Sequence, residues 1–413
     1  MSRLLALVLR LRAFEPLRYR QYRLLWFGQA FGTMGTWMDE VTRGWLIYQL
    51  TDSVLQLGLV RGVQAIAYLL FSPLAGTAAD RYSRRGQLLV AQMANFVFYS
   101  LTAALVFSHL IEPWHVYVLA FLVATGQVFQ QPPRASLVSE AVPREYLTNA
   151  IGLSSLMFNV SRGVGPALAG ALIVTTGTGG AFAVQAVFLL LAAAVTLPLP
   201  SARHATHAGP RHRESFVTSI VEGWKFSWNN ETVRAALMCV MLTSFFIVPF
   251  TTLLPVFARD LLGVGATGQG FLLTAMGTGA LFSAALVANA GHKMPRGMVM
   301  FVAGVMYGLS VIAFSTSTVY AVSLAAMGVV GVFHVYTNVL VNTVVQTYSP
   351  PEFRGRTMAI FSMHQAVITV GAMAFGALAS LAGPRLSVAI MASAGVVSVI
   401  ALNLALPDAR RIR

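Results

Sequence analysis

Apolar residues fill this chain in long blocks from residue 22 to residue 406, separated by short polar breaks. A bilayer core takes about 20 helical residues to cross, and the blocks near 22–49, 54–78, 87–108, 114–137, 148–175 and 181–199 are of that size. A second set follows near 235–258, 265–290, 298–315, 318–347, 357–382 and 386–406. In lipid only helices or closed barrels satisfy every backbone group, and the short alternating pattern of a membrane barrel is absent. The blocks therefore predict an all-α membrane protein with twelve transmembrane helices. Residues 200–234 are the longest polar stretch, which predicts a six-helix bundle over 1–199, a linker over 200–234 and a second bundle over 235–413.

Composition agrees and adds an orientation. The chain is 56% hydrophobic with a mean hydropathy of +0.70. Only 10% of its 413 residues are charged, yet the formal net charge is +14. Most Lys and Arg fall in 1–21, 79–86, 138–147, 200–234, 291–297, 348–356 and the RRIR tail, all of which lie on one side if the spans alternate. Arg259 and Arg385 are the main exceptions. By the positive-inside rule that side is cytoplasmic, and both termini are expected there. The positive balance is thus a topology signal, and a nucleic-acid partner is not expected. The opening MSRLLALVLRLRAF is too interrupted by Arg for a signal-peptide core and reads as an amphipathic lead-in. In the linker, FVTSIVEGWKFSWNN can lie along the membrane surface as an amphipathic helix. Its histidines, His204, His207 and His212, match no metal-ligand spacing. The single cysteine, Cys239, excludes an intrachain disulfide.

The two halves echo each other. GTAADRYSRRG begins at 76 and ANAGHKMPRGM at 288, while VPREYLTNAIGLSSL begins at 142 and SPPEFRGRTMAIFSM at 349, at nearly the same offset. Repeated membrane halves are typical of transporters that rock one bundle against the other. Gly76, Asp80, Arg81, Arg84 and Arg85 form a Gly, Asp-Arg and basic-pair pattern between spans two and three. The fifth span carries NVSRGVGPALAG, with Gly163, Gly165, Pro166 and Gly170. On these residues the chain resembles the major facilitator superfamily over nearly its whole length. WFGQAFGTMGTWM, LVSEAVPREYLTNAIGL and EFRGRTMAIFSM are most similar to the branch holding the enterobactin exporter and bacterial drug-efflux permeases. The second-half copy keeps Lys293, Arg296 and Gly297 but has Gly291 or His292 in place of the acid, so it is degenerate.

The resemblance implies two pseudo-symmetric bundles in the major facilitator fold, in the inner membrane of a bacterium, working as a monomer. It also implies a conformational latch from Gly76, Asp80, Arg81, Arg84 and Arg85, joined by Gly165, Pro166 and Gly170 of the fifth span and by Arg354 and Arg356 in the second copy. The run Gly165, Pro166 and Gly170 resembles the exporters' Gly-Pro signature, and small residues there also suit plain helix packing.

Ionisable groups at bilayer depth are costly and mark candidate sites. TWMDEVTRGW at 36–45 places Asp39, Glu40 and Arg43 within one span, and Asp39 and Arg43 are i,i+4 neighbours. Reflection across the turn at Thr51–Asp52 sets Arg61 level with Arg43, and Gln64 level with Glu40. These five form the expected proton-coupling cluster. Arg162 sits mid-depth in span five, one turn after Asn159. Because spans one, four, seven and ten line the cavity in the resembled superfamily, Gln127, Gln130, Phe245, Phe246, His334 and Asn338 join Asn159 and Arg162 as candidate substrate contacts. Gln131, Phe250 and Asn342 belong to the same faces.

Nothing in the sequence supplies an ATP-binding Gly-x4-Gly-Lys-Ser/Thr motif, a metal set or a nucleophile constellation, so no cofactor and no enzyme activity are expected. The expected function is secondary active export of an amphipathic small organic molecule, siderophore or drug-like, in exchange for protons. The same residues also suit an importer or lipid flippase in which Asp39, Glu40, Arg43 and Arg61 form a structural gate, and a transport-dead sensor or scaffold.

Overall fold

The computed structural model describes residues 12–200, 216–290 and 296–407. The lead-in up to residue 11, the three linker histidines, Gly291, His292, Lys293 and the RRIR tail lie outside the described residues, and so does the side chain of Asp80.

A 3-10 segment, Arg12–Arg18, leads into α1 (Arg20–Thr51), then α2 (Val54–Arg81), α3 (Arg84–Phe107) and α4 (Pro113–Glu140). Next comes α5 (Leu147–Thr196), whose helical run is broken at Gly177. There φ is 74°, a left-handed conformation open chiefly to glycine, so α5 supplies spans five and six. The second half begins with α6 (Phe216–Asn229) in the linker and α7 (Glu231–Phe246). It continues with α8 (Gly265–Ala290), α9 (Arg296–Thr316), α10 (Tyr320–Tyr348), α11 (Pro351–Ser362), α12 (His364–Ala382) and α13 (Pro384–Ala405). Every apolar block is helical, and no strand occurs among the described residues. Eight helical stretches are long and apolar enough to cross a bilayer by composition alone. The helix α1, which carries Asp39, Glu40 and Arg43, is not among them.

Local chemistry sets the ends. Ser83 caps α3 by accepting from the Gly86 amide at 3.1 Å, and Asn230 caps α7 by accepting from Val233 at 3.0 Å. Pro113, Pro351 and Pro384 open their helices, where a missing amide proton is harmless. Span seven is the irregular one. Past Phe246 it continues as a 3-10 turn (Val248–Leu253), a helical turn (Leu254–Val256) and a π turn (Phe257–Leu261). Pro249 and Pro255 each remove a backbone donor from this stretch.

Contacts group the described chain into two units. The first holds α1, α2 from Val63, α3, α4, α5 and Ala266–Thr274 of α8. The second holds Ser53–Gly62, α6, the chain from α7 to Gly265, α8 from Ala275, and α9 to α13. Each unit thus includes one short segment from the other half of the sequence, a grouping that the division at the linker did not anticipate.

Glycines explain the exchange. In the first unit a Cβ on Gly170 would fall 2.6 Å from the Ala266 carbonyl oxygen, and one on Gly270 would fall 2.5 Å from that of Pro166. The Thr274 hydroxyl donates to the Gly163 carbonyl at 2.6 Å. In the second unit a Cβ on Gly58 would lie 2.7 Å from the Ala372 carbonyl oxygen. These backbones touch because no side chain separates them.

Within the first unit α1 is fixed to α5 by a stripe of side-chain bonds three to four residues apart. Tyr22 donates to the Ala150 carbonyl (2.7 Å), Trp26 to Leu153 (3.2 Å) and Gln29 to Ser154 (3.0 Å), and Thr33 bonds Ser161 (2.9 Å). In the second unit an apolar core gathers Val240, Phe301, Val341, Val344 and Val399. There α8 and α10 meet at Gly279 and Gly331, where a Cβ would fall 1.9 Å from the Gly328 and Met276 carbonyl oxygens.

Candidate functional site

Two adjacent acids on α1 point in different directions, because consecutive helical residues lie about 100° apart. Asp39 faces the interior of the first unit and is 5% exposed. Arg43, one turn on and 2% exposed, grips it with both ends: Nε donates to Oδ2 at 3.0 Å and Nη2 to Oδ1 at 2.8 Å. The guanidinium also lies 5.6 Å from the centre of the Phe182 ring. Next to the pair, the Thr42 hydroxyl accepts from Gln185 Nε2 at 3.0 Å and donates to the Met38 carbonyl at 3.0 Å. A two-pronged ion pair inside a bundle is expensive to break, since either partner left alone is a bare buried charge.

Glu40 is half-buried and shares its face of α1 with exposed Thr36 and half-buried Trp37. Trp37 is the centre of a second arrangement. Its ring packs edge-on against Phe158 at 5.5 Å, and the Arg162 guanidinium lies 5.4 Å from its centre. Gly165, one turn after Arg162, makes room for it: a Cβ there would fall 2.8 Å from the Trp37 Cβ. The sequence singled out Arg162 and Gly165 without a partner, and the fold supplies Trp37 to both. An aromatic face beside a guanidinium and a nearby carboxylate can hold an amphipathic molecule that carries charge.

The remaining predicted residues distribute as follows. Arg61 is half-buried and belongs to the second unit, whereas half-buried Gln64 belongs to the first. Gln127 is half-buried and accepts from the Tyr68 hydroxyl at 2.9 Å. Gln130 is buried and accepts from Arg134 at 3.4 Å, a long contact along α4. Asn159 bonds its own helix at the Ser155 carbonyl, 2.9 Å away. His334 stacks on Tyr307 at 5.3 Å, with half-buried Asn338 one turn later. Phe245 and Phe246 meet edge to face at 4.8 Å, and Phe246 backs onto Gly395 of α13. Phe250 corrects an expectation. It is fully buried against Phe314, at 5.6 Å, and is core rather than cavity lining.

Of the latch residues, Arg84 pairs with Glu140, joining the start of α3 to the end of α4 within the first unit. Arg81 is exposed, Arg85 is half-buried, and Gly76 has open space where a Cβ would be. In the second unit Arg354 is exposed, while Arg356 pairs with Glu222 on α6 and lies 5.4 Å from the Phe353 ring centre. Phe226 of α6 stacks on Phe353 at 4.7 Å, so α11 carries the linker helix. Sequence reading missed Trp37, Tyr68, Tyr99, Arg134 and Gln185, which carry polar atoms in otherwise apolar spans.

Comparisons with known proteins bear on the family and the fold. A family model described as transmembrane secretion effector matches residues 11–411. The staphyloferrin A transporter of Staphylococcus aureus is 20% identical over 352 residues, covering 85% of this chain and 87% of that protein. The multidrug efflux pump Tap of Mycobacterium tuberculosis is 26% identical over 369 residues, covering 87% of each. Among solved structures, a bacterial homologue of the human lysosomal transporter Spinster superposes with a TM-score of 0.70 at 16% identity, covering 95% of both chains. That likeness concerns the fold alone.

Proposed function

Because this chain belongs to the transmembrane secretion effector family of the major facilitator superfamily, and so is a multi-pass membrane transporter of small molecules rather than an enzyme, we propose that it exports an amphipathic organic compound in exchange for protons. Its relatives named for a siderophore and for multiple drugs support a cargo of that kind. The proposed setting is a bacterial inner membrane, with both termini cytoplasmic, the chain acting alone, and transport by alternating access.

One observation carries the coupling: the two adjacent acids divide between two faces of α1. Asp39 is held by Arg43 inside the bundle, and Glu40 stands on the face of Trp37. Glu40 is therefore the proton-exchanging carboxylate, beside the Trp37–Phe158–Arg162 platform that takes the cargo. Protonation of Glu40 removes a negative charge next to that platform, and loss of the proton restores it. Proton and cargo then compete for one electrostatic environment, which is what exchange requires. Asp39 and Arg43 keep α1 rigid meanwhile.

The test uses inside-out vesicles with ethidium as probe and an imposed pH gradient. Glu40→Gln should reduce gradient-driven uptake at least tenfold and leave gradient-independent ethidium exchange intact. Uptake by Glu40→Gln at the wild-type rate would remove the proton assignment.

A further inference from the structure

One face of α3 carries polar side chains that the transport reading does not use. Gln92, Asn95 and Tyr99 follow at three- and four-residue spacing, and all three point into the first unit, 0%, 1% and 1% exposed. Neither polar atom of Gln92 has a hydrogen-bond partner in the protein, nor does Asn95 Oδ1. The Gln185 Oε1, on a side chain 0% exposed, is in the same condition, and the Tyr99 hydroxyl meets the Arg43 guanidinium.

Two of these groups, Tyr99 and Gln185, stand at the Asp39–Arg43 pair, and Asn95 and Gln92 continue the same face of α3 away from Tyr99. Tyr99 stacks on Phe182 at 6.3 Å, the ring that also faces Arg43, and its hydroxyl lies within electrostatic reach of both Asp39 and Arg43. Gln185 is tied to Thr42, the neighbour of Arg43. The Asn95 amide lies against α4 where residue 126 is glycine, and a Cβ there would fall 2.0 Å from its Oδ1. From Gln92 to Tyr99 the helix rises about 10 Å, the length of a short file of waters. Buried polar groups without partners are rare and destabilising, and internal water is their usual remedy, each molecule typically making about three bonds.

We infer that the interior of the first unit is a built water site, in which bound waters on Gln92, Asn95, Tyr99 and Gln185 reach the buried Asp39–Arg43 pair. The donor and acceptor set decides the ligand. Gln92 Nε2 needs an acceptor, while Gln92 Oε1, Asn95 Oδ1 and Gln185 Oε1 need a donor. Water supplies both. A metal cation would satisfy only the oxygens and would be repelled by the guanidinium. The consequence is that a few fixed waters, rather than bulk solvent, meet the ion pair on the side of α1 away from Trp37 and Glu40.

Hydroxyl-radical footprinting by X-ray radiolysis tests this on the full chain in lipid nanodiscs, because ordered water activated in place marks the side chains it touches. Tyr22 is the internal control: it is fully buried like Tyr99, but its hydroxyl is satisfied by the Ala150 carbonyl. Tyr99 should be oxidised several-fold faster than Tyr22, and the double change Gln92→Leu with Asn95→Leu should remove the excess. Gln92→Leu alone should lower the thermal midpoint, because it strands the waters' other partners. If Tyr99 is oxidised no faster than Tyr22, or if the midpoint holds or rises with Leu at 92, the water site is refuted.

Discussion

Replacing Asp39 and Arg43 singly and together tests whether the α1 pair is a buried clamp shielded from bulk solvent. Removing one member of a buried pair costs about 3–5 kcal/mol, whereas replacing both by apolar groups of similar volume is near neutral or stabilising. Arg43 is 2% exposed, and after Asp39→Leu its guanidinium keeps the Phe182 ring, 5.6 Å away, and the uncharged Tyr99 hydroxyl. A cation–π contact of about 1–2 kcal/mol does not replace two charge-assisted bonds, so Asp39→Leu should fall in the ~3–5 kcal/mol range. Arg43→Met should cost less, because a stranded carboxylate can take up a proton and become neutral while a guanidinium stays charged. The double variant should lie within about 1 kcal/mol of wild type, giving a coupling above ~3 kcal/mol. Equilibrium unfolding by SDS titration in mixed micelles, read by circular dichroism, measures all three. Additive single effects below ~1 kcal/mol each would show a pair screened by bulk solvent, like a surface one, and refute the reasoning.

Two further outcomes concern packing. Gly170→Ala and Gly270→Ala place a methyl 2.6 and 2.5 Å from a carbonyl oxygen, so each should lose about 1–3 kcal/mol despite alanine's better helix propensity. Gly163→Ala, with nothing within 4 Å of the new Cβ, should be neutral or stabilising, and thermal midpoints of the three variants give the comparison. At the linker helix, Glu222→Gln breaks a partly exposed pair with Arg356 and should cost at most about 1 kcal/mol. Phe226→Ala removes the stack on Phe353 and should release α6 measurably more in hydrogen exchange.

The i,i+4 relation of Asp39 and Arg43 was readable because both sit on one helix, and its geometry follows from the helical repeat. The platform was only half readable. Arg162 and Gly165 stood out as a mid-span charge and a small residue, but Trp37 lies far away in sequence and looked like any interfacial aromatic. Gln92, Asn95 and Gln185 drew no notice, because a lone amide in an apolar block looks the same whether it faces lipid, cavity or core. Phe250 was misplaced for the same reason: its aromatic character was visible, but not the Phe314 ring it packs on.

By itself the sequence determined the number and place of the helices, since in lipid each apolar run of sufficient length satisfies its own backbone locally. It also determined the superfamily, through loop and Gly-Pro motifs that are contiguous in the chain. Only tertiary structure decided which face of α1 each acid occupies, which ring and amide stand beside the Asp39–Arg43 pair, and which short segment each contact unit includes from the other half of the sequence. Those outcomes depend on contacts between residues far apart in the sequence. Helix periodicity fixes the spacing of side chains around an axis, and the neighbouring helices fix the rotation of that axis.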